Sequence, residues 1–303
     1  DPQNCGSFFC LPEDLSFGTL QEILSSMPMS AFDHQYQTIL TRIMDEGHEL
    51  YDPLHDIKMK ALPGLTMELD IEKDGLPILT LRKMPLRLCI AEQIWFLMGE
   101  KNPDIFLGDF TKIWHDFLEE DGTIGSAYGY RWRHHFGRDQ IGDLLKLLQK
   151  NPYSRHGVVI AWDPADDGLG SGTVKKNVPC PFSFTVNIIG GRLHLHSIIR
   201  SQDMMLGNPH DTAGFALLMM FLAQKLEVKP GKLTVSMSNA HVYENHYEQA
   251  REVINREISH DPIHIALPPE SFSRAEQGDK ALVSDIFSQI KSQYSPQPSL
   301  GRM

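Results

Sequence analysis

The sequence predicts an α+β fold in a single domain, and three features support this prediction. Positions 182–189 and 192–199 alternate apolar and polar residues around Gly190-Gly191, a pattern typical of a β-hairpin. Positions 212–226 are nearly all apolar, which indicates a central buried helix. No repeat or low-complexity linker divides the 303 residues, so the strands and helices are expected to share one domain.

The N-terminal part of the chain is expected to start with a loose leader over 1–18, which is polar and contains Pro and Gly. A single domain over 19–303 follows, beginning with a short helix near 19–26. A longer helix is predicted to end near Gly47, because apolar residues recur at helical spacing before it. These residues are Ala31, Phe32, Tyr36, Ile39, Leu40 and Ile43.

The other elements follow from the same patterns. Positions 65–69 and 77–81 alternate around Lys73-Asp74-Gly75, which predicts a second hairpin. The remaining predictions are a buried helix over 86–98, shorter helices over 103–118 and 138–150, strands over 158–162 and 233–237, and a helix over roughly 240–256.

Composition limits the partners of this protein. The formal net charge of -11 and the absence of a Lys/Arg run argue against a nucleic-acid binder and favour a small anionic ligand held by a few cations. No stretch of 18 apolar residues occurs, and no basic region precedes an apolar one at the N-terminus. We therefore expect a cytoplasmic protein that contacts no membrane.

The cysteines and histidines give no metal-binding or disulfide pattern. Cys5, Cys10, Cys89 and Cys180 are few and scattered, and the 14 histidines show no pair at ligand spacing. Cys89 lies on an apolar helical pattern and is interpreted as a core residue. We expect no bound metal.

The segment 200–211, Arg-Ser-Gln-Asp-Met-Met-Leu-Gly-Asn-Pro-His-Asp, contains the residue types of a ligand-binding loop. Its arginine can bind a phosphate through two N–H groups, and a serine and a carboxylate lie beside it. A glycine-proline turn then leads to a second carboxylate at the start of an apolar helix. The segment therefore predicts a ligand site between a strand and a helix.

Together with Val178-Pro179-Cys180 and with Asn-Ala-His-Val-Tyr at 239–243, this segment resembles the thymidylate synthase family, whose pattern is R-S-x-D-x-x-L-G-x-P-x-N. The resemblance extends from about residue 31 to 300. It implies a large mixed sheet with flanking helices and a homodimer that packs sheet to sheet. It also implies a pyrimidine nucleoside monophosphate as substrate and 5,10-methylenetetrahydrofolate as co-substrate.

The candidates for catalysis are Cys180, Glu92, Tyr128 and Asp211. From the residues alone, Cys180 is either a small core residue or a nucleophile, Glu92 either a polar helix face or an acid-base group, and Tyr128 either a core aromatic or a proton relay. The resemblance implies that Cys180 adds to C6 of the pyrimidine, which makes C5 nucleophilic. It implies that Glu92 works with water in proton transfer and that Tyr128 helps to remove the C5 proton. Pro181 replaces the histidine that usually follows the family cysteine.

The resemblance also implies two sets of binding residues. Asp203 is the strongest folate candidate because its carboxylate would bond the pterin ring, and the tail over 294–300 would close over the ligands. The full folate set is Trp114, Lys83, Asp203, Leu206 and Gly207. The nucleotide set is Arg200 and Ser201 for the phosphate, Arg155 and His156 from the partner subunit, and His241 and Tyr243 for the sugar hydroxyl.

One loop departs from the family pattern. The family sequence R-T-G-T-G-T aligns with Pro53-Leu54-His55-Asp56-Ile57, so its phosphate-binding arginine is absent. Lys58 or Lys60 is the candidate replacement.

Asp211 replaces the family asparagine that reads uracil. From the residues alone, Asp211 or Thr212 is also a candidate N-cap of the following helix, and capping is compatible with base reading. Cytosine presents a ring acceptor and an amine donor, which a protonated carboxyl complements, whereas an ionised one repels O4 of uracil. Asp211 therefore predicts a cytosine nucleotide, as in the deoxycytidylate hydroxymethylases of the family.

The function predicted from the sequence is hydroxymethylation of dCMP, with CMP as an alternative substrate. Water would add to an exocyclic methylene on C5, whereas hydride transfer would give a methyl group instead. The rival interpretations are a thymidylate synthase acting on dUMP, a dCMP methylase, and an inactive relative that only binds a nucleotide.

Overall fold

The computed structural model describes residues 30–168, 177–258 and 261–300. The expected leader over 1–18, the short helix near 19–26, and Cys5 and Cys10 lie outside these residues. Within them, no helix is long and apolar enough to cross a membrane.

One mixed sheet of seven strands forms the centre of the described chain, as the family resemblance implies. Its order is β1-β2-β7-β5-β4-β3, and the short β6 pairs with β7. The pairs β5/β7 and β6/β7 are parallel, and the others are antiparallel. The strands are β1 (His48–Asp52), β2 (Ile57–Asp70), β3 (Val158–Ile160), β4 (Pro181–Ile189), β5 (Arg192–Ile199), β6 (Gln202–Asp203) and β7 (Lys229–Tyr243).

Helices flank this sheet. They are α1 (Ala31–Glu46), α2 (Ile71–Asp74), α3 (Leu86–Met98), α4 (Tyr128–Tyr130), α5 (Gln140–Lys150), α6 (Gly207–Lys225), α7 (Tyr247–Ile254), α8 (Ser271–Glu276) and α9 (Lys280–Lys291). A π turn, Arg131–His135, continues α4, and 3₁₀ turns span Pro103–Ile105, Leu107–Asp109, Ile113–Phe117 and Glu244–His246. Helices α3 and α6 are apolar on nearly all sides because each packs between other elements, including the other of the pair.

Several predicted elements are confirmed. Strands β4 and β5 form the predicted hairpin, in which Gly190 and Gly191 adopt positive φ of 60° and 74°. Helices α1, α3 and α5 lie where apolar spacing predicted helices, β7 includes the predicted strand over 233–237, and β3 covers positions 158–160 of the strand predicted over 158–162.

The predicted hairpin around Lys73-Asp74-Gly75 is wrong. After β2, the Asp70 carboxylate accepts from the backbone N–H groups of Glu72 and Lys73 and caps α2. Gly75, with φ of 72°, then turns the chain, and positions 77–81 form no strand. The expected helix over 103–118 is instead a series of 3₁₀ turns.

The starts of two other helices also differ from the prediction. Helix α7 begins at Tyr247, because β7 continues to Tyr243 and pairs with β2. Helix α6 begins at Gly207, so neither Asp211 nor Thr212 caps it, and Asp211 lies within its first turns. Strand β1 and helices α8 and α9 were not predicted.

Gly129 fixes how closely α4 approaches α3. A Cβ at this position would lie 2.2 Å from the Phe96 carbonyl oxygen and 2.5 Å from its Cα, so the backbone must move to accept one. We expect Gly129→Ala to lower the free energy of unfolding by about 1 to 3 kcal/mol, the usual cost of overpacking. Chemical denaturation measures this loss.

Gly137→Ala is the control for this prediction. A Cβ at Gly137 has no atom within 4 Å, so the left-handed backbone at φ of 68° is its only cost, about 1 kcal/mol. Equal losses in the two variants would contradict the close contact between α3 and α4.

Candidate active site

Two neighbouring cavities lie at one end of the sheet. The larger, of about 1040 Å³, lies between the β1–β2 loop and the segment that leads into β4, and includes Cys180, Arg200 and Ser201. The smaller, of about 500 Å³, lies between α3 and the start of α6, and includes Glu92 and Asp211. Trp114, Phe117 and Tyr128 line both cavities. Two different ligands can therefore meet at these aromatic side chains.

Cys180 lies immediately before β4, beside the end of β5. An Arg200 Nη2 lies 3.5 Å from the Cys180 Sγ, and the backbone N–H of Cys180 donates to the Tyr128 hydroxyl oxygen at 3.2 Å. Burial raises the pKa of the Cys180 thiol, while the Arg200 charge acts in the opposite direction and Asp211 adds to the rise. The guanidinium is thus the group that favours a thiolate here.

Arg200 is held in place by the segment that carries the thiol. Its side chain donates to the carbonyl oxygens of Pro179 at 2.9 Å and Val178 at 3.1 Å. Its guanidinium also lies 5.7 Å from the centre of the Trp162 ring. These contacts place a fixed positive charge in the larger cavity, which suits an anionic group.

Glu92 is the buried carboxyl of the smaller cavity. The Trp114 indole N–H donates to its Oε1 at 2.7 Å, and the His210 Nδ1 lies 4.0 Å from its Oε2. Burial raises the pKa of Glu92 to about 8, although the Trp114 hydrogen bond lowers it. Burial lowers the pKa of His210 to about 4. Near neutral pH, Glu92 is therefore largely protonated and can act as a general acid, and it lies beside a neutral imidazole.

Asp211 faces the smaller cavity from α6. The Gln202 Nε2 donates to its Oδ2 at 2.9 Å. Burial raises the pKa of Asp211 to about 6, against the effect of the Gln202 hydrogen bond. Sequence reasoning did not identify Gln202, although it lies inside the loop motif.

This combination of a cysteine, an arginine and buried carboxyls agrees with the comparison to known families. The family model for thymidylate synthase matches residues 34–296. The chain belongs to the thymidylate synthase family. Members transfer a one-carbon unit from methylenetetrahydrofolate to C5 of a pyrimidine nucleotide, so the protein is a one-carbon transferase.

The other residues proposed from the thymidylate synthase resemblance are not all brought to the cavities. Ser201 and Tyr243 line the larger cavity. The lining of the smaller cavity includes Lys83, Leu206 and Gly207.

Four of the proposed residues are not part of either lining. The Asp203 carboxylate accepts from the backbone N–H groups of Met205 at 2.8 Å and Leu206 at 3.2 Å, so it stabilises the turn before α6. His241 is buried, and its Nδ1 lies 3.1 Å from the Asn239 Oδ1. The other two, Arg155 and His156, are exposed.

The β1–β2 loop contributes His55 to the wall of the larger cavity, whereas the two candidate lysines make other contacts. Lys58 pairs with Glu49 at 3.0 Å, Lys60 donates to the Met44 carbonyl oxygen, and neither lines the larger cavity. His55 does line it, and its Nδ1 lies 2.6 Å from an Asp52 carboxylate oxygen. Sequence reasoning missed His55, and phosphate binding by Lys58 or Lys60 stays a prediction.

Across the described ranges, no group of three or more His, Cys, Asp or Glu side chains could hold a metal ion.

Trp114→Phe tests the environment of Glu92. We expect loss of the indole N–H to raise the pKa of Glu92 further, because that bond favours the ionised carboxylate. In the pH profile of kcat/KM, the limb that reflects ionisation of Glu92 is expected to move to higher pH, by about one pH unit. Phe117→Leu, which changes a wall of both cavities, is the control. A Trp114→Phe profile that overlays the wild-type profile would contradict the assignment.

Proposed function

We propose that the protein hydroxymethylates C5 of a cytosine nucleotide, with dCMP preferred to CMP. The observation that supports this most is Asp211, a buried carboxyl at the position where the family pattern has asparagine. Its pKa of about 6 allows it to be protonated or ionised near physiological pH.

We place the sugar and phosphate of the nucleotide in the larger cavity and its pyrimidine at the wall that both cavities share, beside Tyr128, so that the base faces Asp211 of the smaller cavity. Cys180 is the nucleophile, which forms a bond from Sγ to C6 of the pyrimidine. Arg200 and Ser201 bind the phosphate, and Tyr243 contacts the sugar on the opposite wall, with His241 packed against it at 4.9 Å between ring centres. His55, held by Asp52, adds a second nitrogen donor for an anion when it is protonated.

Base choice follows from hydrogen-bonding capacity at Asp211. The Asp211 oxygens can accept from the exocyclic amine of cytosine, and a protonated oxygen can donate to the ring acceptor. Uracil would present O4 to the ionised carboxylate, so that two acceptors face each other without a donor, at a cost of about 1 to 3 kcal/mol. Cytosine is therefore the favoured base.

The smaller cavity fits a folate. A volume of about 500 Å³ bounded by Phe96, Trp114 and Phe117 suits a flat heteroaromatic ring, and exposed Lys83 at its rim suits an acidic tail. When bound, methylenetetrahydrofolate supplies the one-carbon unit. The residues of the chain then position the ring, exclude water from one side and move protons.

Glu92 and Tyr128 are the groups that we propose to move protons. Burial holds the pKa of the Tyr128 hydroxyl well above its ordinary value, so the hydroxyl stays protonated and relays a proton through its oxygen rather than acting as a strong base. Glu92, beside Trp114 and His210, exchanges a proton with water on the folate side. Addition of water, rather than hydride, to the methylene is proposed by resemblance to the cytosine-specific members of the family.

A homodimer is part of this proposal. Arg155 and His156 are exposed here and would reach the phosphate of the partner subunit. Nearby exposed apolar residues of the sheet, Val158, Ile160 and Ile189, fit an interface between two copies.

The test is incubation of the purified protein with methylenetetrahydrofolate and, separately, dCMP, CMP and dUMP, with the products identified by mass. A gain of CH₂O on dCMP is the expected result, and a larger yield from CMP would reverse the proposed sugar preference. A gain of CH₂ on dCMP would replace hydroxymethylation by methylation. A gain of CH₂ on dUMP alone would overturn the cytosine proposal.

A further inference from the structure

Gln202 is a buried amide that directly contacts Asp211. It is the first residue of β6, and only 1% of its surface is exposed. Its Nε2 donates to the Asp211 Oδ2 at 2.9 Å, while its Oε1 is buried without a hydrogen-bond partner among the described residues. A buried amide with one bond to the candidate base-reading residue calls for a functional explanation.

The space around Gln202 limits its movement. A Cβ at Gly207 would lie 2.9 Å from the Gln202 Nε2, so glycine at the start of α6 leaves just enough room for the amide. The amide is therefore enclosed between β6 and α6. It holds the Asp211 side chain in one rotamer.

We propose that Gln202 is a positioning residue that sets base preference by fixing how the side chain at position 211 faces the pyrimidine. This inference rests on the proposed function. An amide N–H can only donate, so the atom of residue 211 that faces Gln202 must accept. In Asp211 that atom is Oδ2, which leaves Oδ1 to meet the base.

The same constraint acts differently on an amide at position 211. An asparagine there would turn its oxygen toward the Gln202 N–H and its NH₂ group toward the pyrimidine. The NH₂ group complements O4 of uracil, whereas the Oδ1 of Asp211 complements the amine of cytosine. Gln202 thus converts the difference between Asp and Asn into a difference between cytosine and uracil.

Other charged or titratable groups act on Asp211 and are unchanged by a Gln202 variant. Glu92 lies on α3, Asp203 on β6, and Tyr128 on α4. His210 and Arg82 line the smaller cavity, as Glu92 does. The effect of a Gln202 variant is therefore measured as a difference from the wild-type protein, in which these other groups are the same.

The test compares Gln202→Met, which keeps the length of the side chain and removes the donor, with the wild-type protein. We expect the ratio of kcat/KM for dCMP over dUMP to fall by about tenfold. In the Asp211→Asn background, the same change is expected to weaken the preference for dUMP to a similar extent. Gln224→Met is the matched control. Gln224 lies near the other end of α6, and its amide donates to the Pro268 carbonyl oxygen instead of to Asp211.

A second measurement needs no substrate. Infrared titration of the Asp211 carboxyl in the free protein is expected to give a higher pKa in Gln202→Met than in the wild type, because the lost bond favours the ionised form. An unchanged titration together with an unchanged base ratio, in a variant that melts like the wild type, would overturn the inference. A wild-type protein without cytosine preference would overturn the proposed function, while the titration still tests the contact.

Discussion

Cys180→Ala is expected to abolish product formation, with a loss of roughly 10⁴-fold or more, because among the described residues Cys180 is the only thiol that lines either cavity. Nucleotide binding should be largely retained, since the side-chain bonds of Arg200 to the Val178 and Pro179 carbonyl oxygens do not involve the thiol. Single-turnover assays with mass detection measure the first effect. Calorimetric titration with dCMP measures the second.

Cys89→Ala is the matched control for this result. Cys89 is 2% exposed in α3, and burial holds the pKa of its thiol well above the ordinary value, so it is an inert core thiol. This variant should keep its turnover and lose about 1 kcal/mol of stability. Turnover that survives in Cys180→Ala would refute the nucleophile. Unchanged biological activity without any turnover would instead support an inactive nucleotide-binding relative.

The spatial relation between Cys180 and Arg200 could be predicted only in part from the sequence. The hairpin around Gly190-Gly191 places both residues at the far end of the same strand pair, and this much follows from alternation alone. The register at the end of this strand pair does not follow from the alternation. A bulge between Pro181 and Ser183 shifts the pairing so that the Arg200 N–H donates to the Cys180 carbonyl oxygen at 2.9 Å. The position of a bulge depends on packing, which a local pattern does not report.

The environment of Asp211 could be predicted only in part. The loop motif identifies the residue, but capping preference misplaced the start of α6, because the helix begins earlier through Gly207, Asn208 and Pro209. Proline is tolerated in a first turn, where its missing N–H is no loss. Sequence reasoning missed Gln202 because its role depends on a contact between β6 and α6. Gln202 also lies at a position that the family motif leaves variable, so the motif does not indicate a role for it.

The role of the loop that contains His55 could also be predicted only in part. Comparison of the sequence with the family pattern located the missing arginine, but charge alone favoured the nearby lysines. The Lys58 ammonium instead pairs with Glu49, and that of Lys60 donates to the Met44 carbonyl oxygen, so neither lysine lines the larger cavity. Which side chains of a hairpin face a cavity depends on the geometry of its turn, which the sequence of this loop does not specify.

Asp211→Asn is expected to change stability as well as specificity. Burial raises the pKa of Asp211 from its ordinary value to about 6, so this carboxyl lowers stability progressively as the pH rises from its ordinary pKa, and the full cost is present above about pH 6. The neutral amide avoids this penalty. We expect the variant to gain about 1 to 2 kcal/mol of unfolding free energy at neutral pH, and the gain should vanish below about pH 4, where Asp211 is protonated in both states. Denaturation at several pH values tests this sign.

The effect of Asp211→Asn on base choice is expected to be the larger one. Cytosine loses an acceptor for its amine, and uracil gains a donor for O4, with each change worth about 1 to 3 kcal/mol. The ratio of kcat/KM for dCMP over dUMP should therefore fall by roughly 10²-fold or more. Competition between the two nucleotides in one reaction, with both products quantified by mass, measures this ratio directly.

Glu92→Gln separates base reading from the loss of a buried carboxyl. It removes a titratable group from the same cavity, 2.7 Å from the Trp114 indole nitrogen, but leaves the Gln202–Asp211 bond in place. Turnover should fall by roughly 10²-fold or more for both nucleotides, because proton transfer is impaired for either base, and the ratio between them should stay near the wild-type value. If Glu92→Gln changes the ratio as much as Asp211→Asn does, base choice reflects the charge of the cavity rather than the hydrogen bonds of residue 211. If only Asp211→Asn changes it, one carboxyl oxygen on α6 determines which pyrimidine reaches Cys180.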